Sequence, residues 1–352
     1  MKKLFVYTIL FLLIGTALFP PALSTPVSGK HIITVDDEPG DADYISIGAA
    51  LNESQSGDTI EVFSGTYIEQ NLAIRQNETR LIGISHELGQ GNDTGQPVIL
   101  GDGNESVLWV KASHVVVSNF RVEMIHPHSW SSVSGMYLGM GEYTLQNHIT
   151  VSNMTIANCT EGIACNVILD VNITNNDVSH CLDYGIVIGL SFTKDRGVSC
   201  VNNSVSACKN GGIVISGKRI YVMDNIVWGC PIGVKNYQGE SDYITRNAIK
   251  NCNVSVYLNG GYDNSITQNN FINYSKTSRW WDRPQGIFLR IGPRDVWRNN
   301  YWDTWSGKGP QPIPGTKELT IWWLLPPYGL TFPIKWLEFD LHPAHQPFTI
   351  PP

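Results

Sequence analysis

Charge is scarce in this chain. Only 16% of its 352 residues are Asp, Glu, Lys or Arg, and the basic ones are fewer, 24 against 31 acidic, giving a net charge of −7. Beyond Lys2-Lys3 no basic cluster occurs, which argues against nucleic acid or anionic lipid as a partner. Long apolar runs are equally rare. The one at residues 4–19 follows Lys2-Lys3 and precedes Ala22-Leu23-Ser24, the layout of a secretory signal peptide spanning residues 1–24. It is shorter than the roughly 20 residues that a membrane span needs, and Pro20-Pro21 close it. Removal of the signal would leave no transmembrane segment; retention as an anchor is the alternative. The expected location is extracellular or at the cell envelope.

What the chain does have is a repeat. Cysteine recurs at 159, 181, 208, 230 and 252, at spacings of 22, 27, 22 and 22 residues, each time closing a short β-rich phrase such as NDVSHC or NIVWGC. Gly162-Ile163, Gly185-Ile186, Gly212-Ile213 and Gly233-Val234 follow these phrases. A period near 22 with Asn and Gly corners implies one supersecondary unit stacked on copies of itself. Each coil reads as a strand, an Asn corner, a strand ending at Cys, a turn, and a Gly-led third strand. The corners fall at Asn119, Asn153, Asn175/Asn176, Asn202/Asn203, Asn225, Asn247, Asn269/Asn270 and Asn299/Asn300. Asparagine suits bends because it bonds neighbouring backbone and tolerates left-handed dihedrals. Stacked coils lie about 4.8 Å apart, a poor match to the roughly 3.8 Å Cβ separation of a disulfide. The five cysteines therefore read as small buried residues, and Cys165 and Cys200 as core positions occupied by Ile or Val in other coils.

Three regions follow. Residues 31–106 form an N-terminal cap and first coils, with strands near 31–35, 59–63 and 72–74 and a short amphipathic helical segment near 45–51. Residues 107–305 carry the regular repeats. Residues 306–352, rich in Pro and Trp, are expected to plug the last coil, since proline lacks the donor that a ladder needs. Ten Asn-x-Ser/Thr sequons, the first at Asn52, Asn77, Asn92 and Asn104, would allow glycosylation of an exported chain.

The opening ITVDDEPGDADYISIGAALN…SGDTIEVFSGTYIE, the repeats, and Asn299-Asn300-Tyr301-Trp302-Asp303 before the tail resemble the NosD-like, pectate-lyase-like superfamily, especially exported archaeal members. The resemblance implies an all-β, right-handed, single-stranded parallel β-helix. That scaffold serves lyases, hydrolases, maturation factors and adhesive proteins, so it leaves the activity open. In sugar-cleaving members the substrate lies along the Gly-led strand face.

Parity places Tyr137, Ala164, Val187, Val214, Lys235, Tyr257 and Phe288 outward on that face, with Gly139, Asn166, Gly189, Ser216, Tyr237, Asn259 and Arg290 in the next row. No Asp, Glu or His stands in either row, and the paired aspartates and Gly-His-Gly of polygalacturonases are absent. Glycoside hydrolysis uses two carboxylates, and a calcium-assisted lyase needs several oxygen ligands. Glu161 and Asp183, in matching turns of adjacent coils, are the catalytic candidates; the bland alternative is two solvated turn residues. Long turns at 125–134 and 274–285 carry Trp130 and Trp280-Trp281, which either wall a trough for an extended glycan or pack on neighbouring coils. Arg283 and Arg290 could clamp acidic sugars. Copper is the metal that the NosD resemblance implies, with His126 and His128 and the nearby Met124, Met136 and Met140 as candidate ligands. The favoured expectation is an extracellular or envelope protein that binds polysaccharide without catalysis, ahead of a polysaccharide lyase or hydrolase and of a copper-handling accessory.

Overall fold

The computed structural model describes residues 30–89, 91–128, 133–139, 146–166, 169–189, 197–273, 276–282, 295–321 and 330–351, with backbone alone for most of the strands at 276–282 and 311–340. The apolar run at 4–19 lies outside these residues. No helix among the described residues is long and apolar enough to cross a membrane.

Three sheets of 11, 10 and 11 strands run the length of the molecule, and successive coils add one strand to each. Every coil-to-coil pairing is parallel, for example Ile149 on Val171, Ile156 on Val178 and Ile163 on Ile186. The chain is a right-handed parallel β-helix. Each strand turns alternate residues inward, and one continuous core of Val, Ile, Leu and Cys fills the interior. At its start the helix Ile47–Glu53 buries Ile47, Ala50 and Leu51 against the first coils. Ser46 caps it, and the Glu69 carboxylate accepts from the Ile47 and Gly48 amides at 2.8 Å each, satisfying donors that a first turn leaves open.

Two inner files set the coil shape. All seven cysteines are free and buried. Those of the repeat donate their thiols to the carbonyl two residues back, as Cys159 does to Ala157 at 3.3 Å and Cys208 to Ser206 at 3.3 Å. Beside them runs a glycine file, Gly135, Gly162, Gly185, Gly212 and Gly233. A Cβ on Gly212 would sit 2.4 Å from the Val227 methyl and 2.7 Å from the Gly233 carbonyl oxygen. The glycine-led strand is thus demanded by space.

The corner asparagines form a buried ladder. The side-chain oxygens of Asn203, Asn225, Asn247, Asn269 and Asn300 each accept from the backbone and side-chain amides of the asparagine one coil earlier, at 2.9–3.0 Å. After Asn300 no further coil supplies an acceptor. Asp340 takes that place, receiving Asn300 N at 2.9 Å, Asn300 Nδ2 at 3.0 Å and Trp302 Nε1 at 3.2 Å.

Asp340 belongs to the tail, whose prolines were expected to keep it out of any ladder. Gln311–Ile321 and Leu330–Asp340 form an antiparallel hairpin, and its first strand extends the third sheet through Trp281–Thr316 and Asp282–Lys317 pairs. Pro312 and Pro314 precede Thr316 and Lys317, where the parallel pairing is made.

At another corner Asp242 is wholly buried, accepting from Ile220 N at 2.8 Å and Asn236 Nδ2 at 3.0 Å. Burial pushes its carboxyl up to about 7; the two hydrogen bonds pull it down, while Asp295 and Glu240 raise it further. The folded chain therefore keeps a proton that the unfolded chain releases near pH 4. That stabilisation is complete below about pH 4 and disappears as pH rises through 7, worth at most about 4 kcal/mol. Thermal midpoints measured from about pH 4 to about pH 8 should fall less steeply in Asp242→Asn than in the wild type. Parallel curves would refute this assignment.

Candidate functional site

The outward face of the third sheet carries one row in cross-strand register: Ala73, Trp109, Tyr137, Ala164, Val187, Val214, Lys235 and Tyr257. Their sequence neighbours Met136, Leu138, Ile163, Ile186 and Ile213 are buried, so the outward parity read from the repeat holds from Tyr137 to Tyr257, after which Arg279, not Phe288, comes next in register. Over this row lies a groove of about 760 Å³. Its walls combine aromatic rings (Trp109, Tyr137, Tyr184 and Tyr237) with Arg75, Lys111, Lys235, Glu105 and Glu161.

Side-chain contacts hold the rings in place. Trp109 and Tyr137 meet edge to face at 5.2 Å between centroids, and Trp109 Nε1 donates to the Gly139 carbonyl at 3.3 Å. The Lys111 ammonium stands 3.7 Å from the Trp109 ring centre, a cation–π contact. The Tyr137 hydroxyl accepts from Asn166 Nδ2 at 3.2 Å, and Lys235 Nζ donates to the Tyr184 hydroxyl at 3.3 Å. A ring fixed in this way loses little side-chain freedom when a ligand lands on it.

Glu161 opens its strand opposite Ser134, whose hydroxyl donates to Glu161 Oε2 at 3.3 Å. Burial raises the Glu161 pKa, and the charge of Asp183 adds to the rise, against a small opposing effect of the Ser134 bond. Such a carboxyl keeps its proton to higher pH and is suited to donate it. Asp183 is not its structural twin. Its amide bonds the Thr160 carbonyl at 2.8 Å, one position out of step, and its carboxylate accepts from Asn210 Nδ2 at 2.7 Å outside the groove lining. The carboxylate that shares the groove with Glu161 is the exposed Glu105.

Of the other expected residues, Tyr137 lines the groove, and Tyr257 continues its row one coil beyond Lys235, past the lining. Trp130, Arg283, Phe288 and Arg290 lie outside the described residues. Trp280 and Trp281 are not in a long turn: Lys276–Asp282 is itself the strand of that coil, pairing Leu258 with Trp280 and Asn259 with Trp281. An aromatic-rich run is at home in a strand, and it takes the place expected for the Gly-led segment after 285. Trp109, Lys111, Tyr184, Arg75 and Glu105 went unmarked in the sequence. Trp109 was within reach, since alternation along Leu108-Trp109-Val110 points it outward, but its coil precedes the cysteine file.

A copper site does not fit the donors present. Met124 and Met136 point into the core, and Met140 lies outside the described residues. His126 is exposed and His128 half-buried, and no third imidazole, thiol or carboxylate joins them among the described residues. The thiols are sealed inside. Burial pushes Cys200 and Cys252 up to about 12, which denies a metal the thiolate form.

No curated protein matches the chain in sequence. Among solved structures it is similar to the GH136 lacto-N-biosidase from Eubacterium ramulus, with TM-score 0.58 and 12% identity over 77% of this chain and 60% of that one. The pectate lyase Pel9A aligns with TM-score 0.45 and 13% identity over 83% of this chain and 76% of that one. The chain thus spans about three-fifths of the lacto-N-biosidase, and at this identity the likeness is one of fold. The sequence model of the family described as "Periplasmic copper-binding protein (NosD)" matches residues 102–307, more than half of the chain and nearly all of its regular coils. The chain belongs to the NosD family.

Proposed function

We propose that this protein is exported and binds an extended glycan of the cell envelope along the third-sheet groove, without cleaving it. The observation that carries the reading is the wall formed by Trp109 and Tyr137, two rings held in place and flanked by Lys111 and Asn166. Aromatic faces accept the apolar faces of sugar rings, while the surrounding amides and charged groups satisfy hydroxyls. Export is supported by the Lys2-Lys3 and apolar leader and by the periplasmic description of the family. The copper of that description is set aside because the donors do not suit it.

Screening the purified protein on immobilised polysaccharides tests the reading. A bound glycan should be held about tenfold more weakly by Trp109→Ala and by Tyr137→Ala, the loss of about 1.4 kcal/mol per ring. Binding that ignores both substitutions would place the ligand elsewhere.

A second reading, glycoside hydrolysis or lyase chemistry, is favoured by one observation: Glu161 is a half-buried carboxyl of raised pKa in the same groove as Glu105. It predicts release of new sugar ends that Glu161→Gln abolishes. Binding without such release supports the first reading.

A further inference from the structure

A cluster of acidic side chains lies in the first coils. Asp36, Asp37 and Glu38 form the turn after the first strand, Ile32–Val35. Their carboxylate oxygens lie within 4.8 Å of one another, and Glu38 also belongs to a second such trio with Glu87 and Asp93. Five acids from two separate loops thus converge. Among the described residues no lysine, arginine or histidine forms an ion pair with any of them.

A group of acids can be no more than a solvated turn, but Asp36 is fully buried, neither of its oxygens receives a bond from an amide, hydroxyl or cation, and the polar group against it is another carboxyl, that of Glu87. Asp37 Oδ1 and Glu38 Oε2 are buried and unpartnered as well. Leaving one carboxylate dry and unpaired is unfavourable, and placing like charges beside it makes it more so. Three further oxygens are held by backbone: Asp37 Oδ2 accepts from Thr66 N at 2.9 Å, and the Glu87 oxygens accept from Leu88 N and Asp93 N at 3.1 Å. The acids are therefore aimed while their inner oxygens stay open, as ligands before a cation arrives. A carboxylate-only set is hard; it suits calcium, which takes six to eight oxygens, better than copper or zinc.

We propose that Asp36, Asp37, Glu38, Glu87 and Asp93 bind a calcium-class divalent cation that ties the turn after the first strand to Glu87 and Asp93. The cation neutralises the cluster and clamps the start of the solenoid, where coils have a neighbour on one side only. It stands apart from the groove and does not depend on what the groove binds.

The test uses the full chain, stripped with chelator and titrated with calcium chloride and then magnesium chloride by calorimetry, with melting followed in parallel. Saturable calcium binding is expected, with a melting temperature raised by about 5 °C or more at millimolar calcium and magnesium bound at least about tenfold more weakly. Glu38→Gln, which removes the acid common to both trios, should weaken calcium at least about tenfold; Asp93→Asn, at the exposed rim, should weaken it by less. Glu53→Gln, at the exposed helix end, serves as the control for net charge. The absence of calcium heat and of a melting shift at about 10 mM would overturn the proposal. So would affinities in Glu38→Gln and Asp93→Asn equal to that of the control. Because Asp93 is exposed, its variant keeps the comparison readable if Glu38→Gln folds poorly.

Discussion

Asn247→Ala is expected to lower unfolding stability by about 3–5 kcal/mol, read from the midpoint of a denaturant titration. Its side-chain oxygen accepts both amides of Asn225, and its Nδ2 donates to Val222 O at 2.9 Å, Thr245 O at 3.1 Å and Asn269 Oδ1 at 3.0 Å. Alanine strands the Asn225 backbone N–H in the dry interior at about 1–3 kcal/mol, takes a second bond from the Val222 carbonyl, and opens a void beside them. Residue 246 supplies the contrast. Arg246 is an exposed left-handed residue at φ 54° whose guanidinium Nε meets Asp224 at 2.8 Å. Arg246→Asn should change stability by less than about 1 kcal/mol, since a surface ion pair contributes little and asparagine accepts that backbone. Equal losses at 246 and 247 would mean that the ladder is not a stabilising element.

Gly212→Val is expected to cost about 3 kcal/mol or more, and the reason is excess volume, not a void. The first added carbon would already overlap the Val227 methyl and the Gly233 carbonyl, and the carbonyl is backbone that cannot turn aside. Relief requires the coil spacing to open, against the hydrogen bonds on both sides. Gly212→Ala should be milder and Gly40→Ala milder still, because nothing lies within 4 Å of a Cβ at Gly40, although its φ of 115° adds backbone strain there. Far-ultraviolet dichroism with denaturant melts would separate the three. A Gly212→Val chain as stable as wild type would show that the glycine file is not close-packed.

The repeat made most of the scaffold legible. Cysteine spacing fixed the coil period, and counting from it assigned Tyr137, Lys235 and Tyr257 to one outward row, which the strand register bears out. The asparagine corners were located, but two jobs were merged there. Asn175, Asn202 and Asn299 have left-handed dihedrals, as do Asp224, Arg246 and Gln268; the buried ladder residue is the next one along. Both jobs suit asparagine, so composition could not divide them.

The site was less legible because it depends on small offsets. Glu161 and Asp183 are 22 residues apart, but the local pairing of Ile163 with Ile186 spans 23, and that one residue takes Asp183 out of the groove. In the last coil the Gly-Ile motif after 285 suggested the strand, whereas Lys276–Asp282 is the segment that pairs. The acidic turn at 36–38 was visible as sequence. Its missing donors appear only in three dimensions.

The direction of the asparagine ladder has a consequence for how the chain matures. In every rung the donor belongs to the earlier coil and the acceptor to the later one. A polypeptide emerging amino end first would therefore always present one rung still waiting for its acceptor. Each newly emerged turn would satisfy the turn before it, and the last debt passes to residue 340. Zipping would proceed vectorially, and a nascent chain halted before the final hairpin would stay a substrate for chaperones.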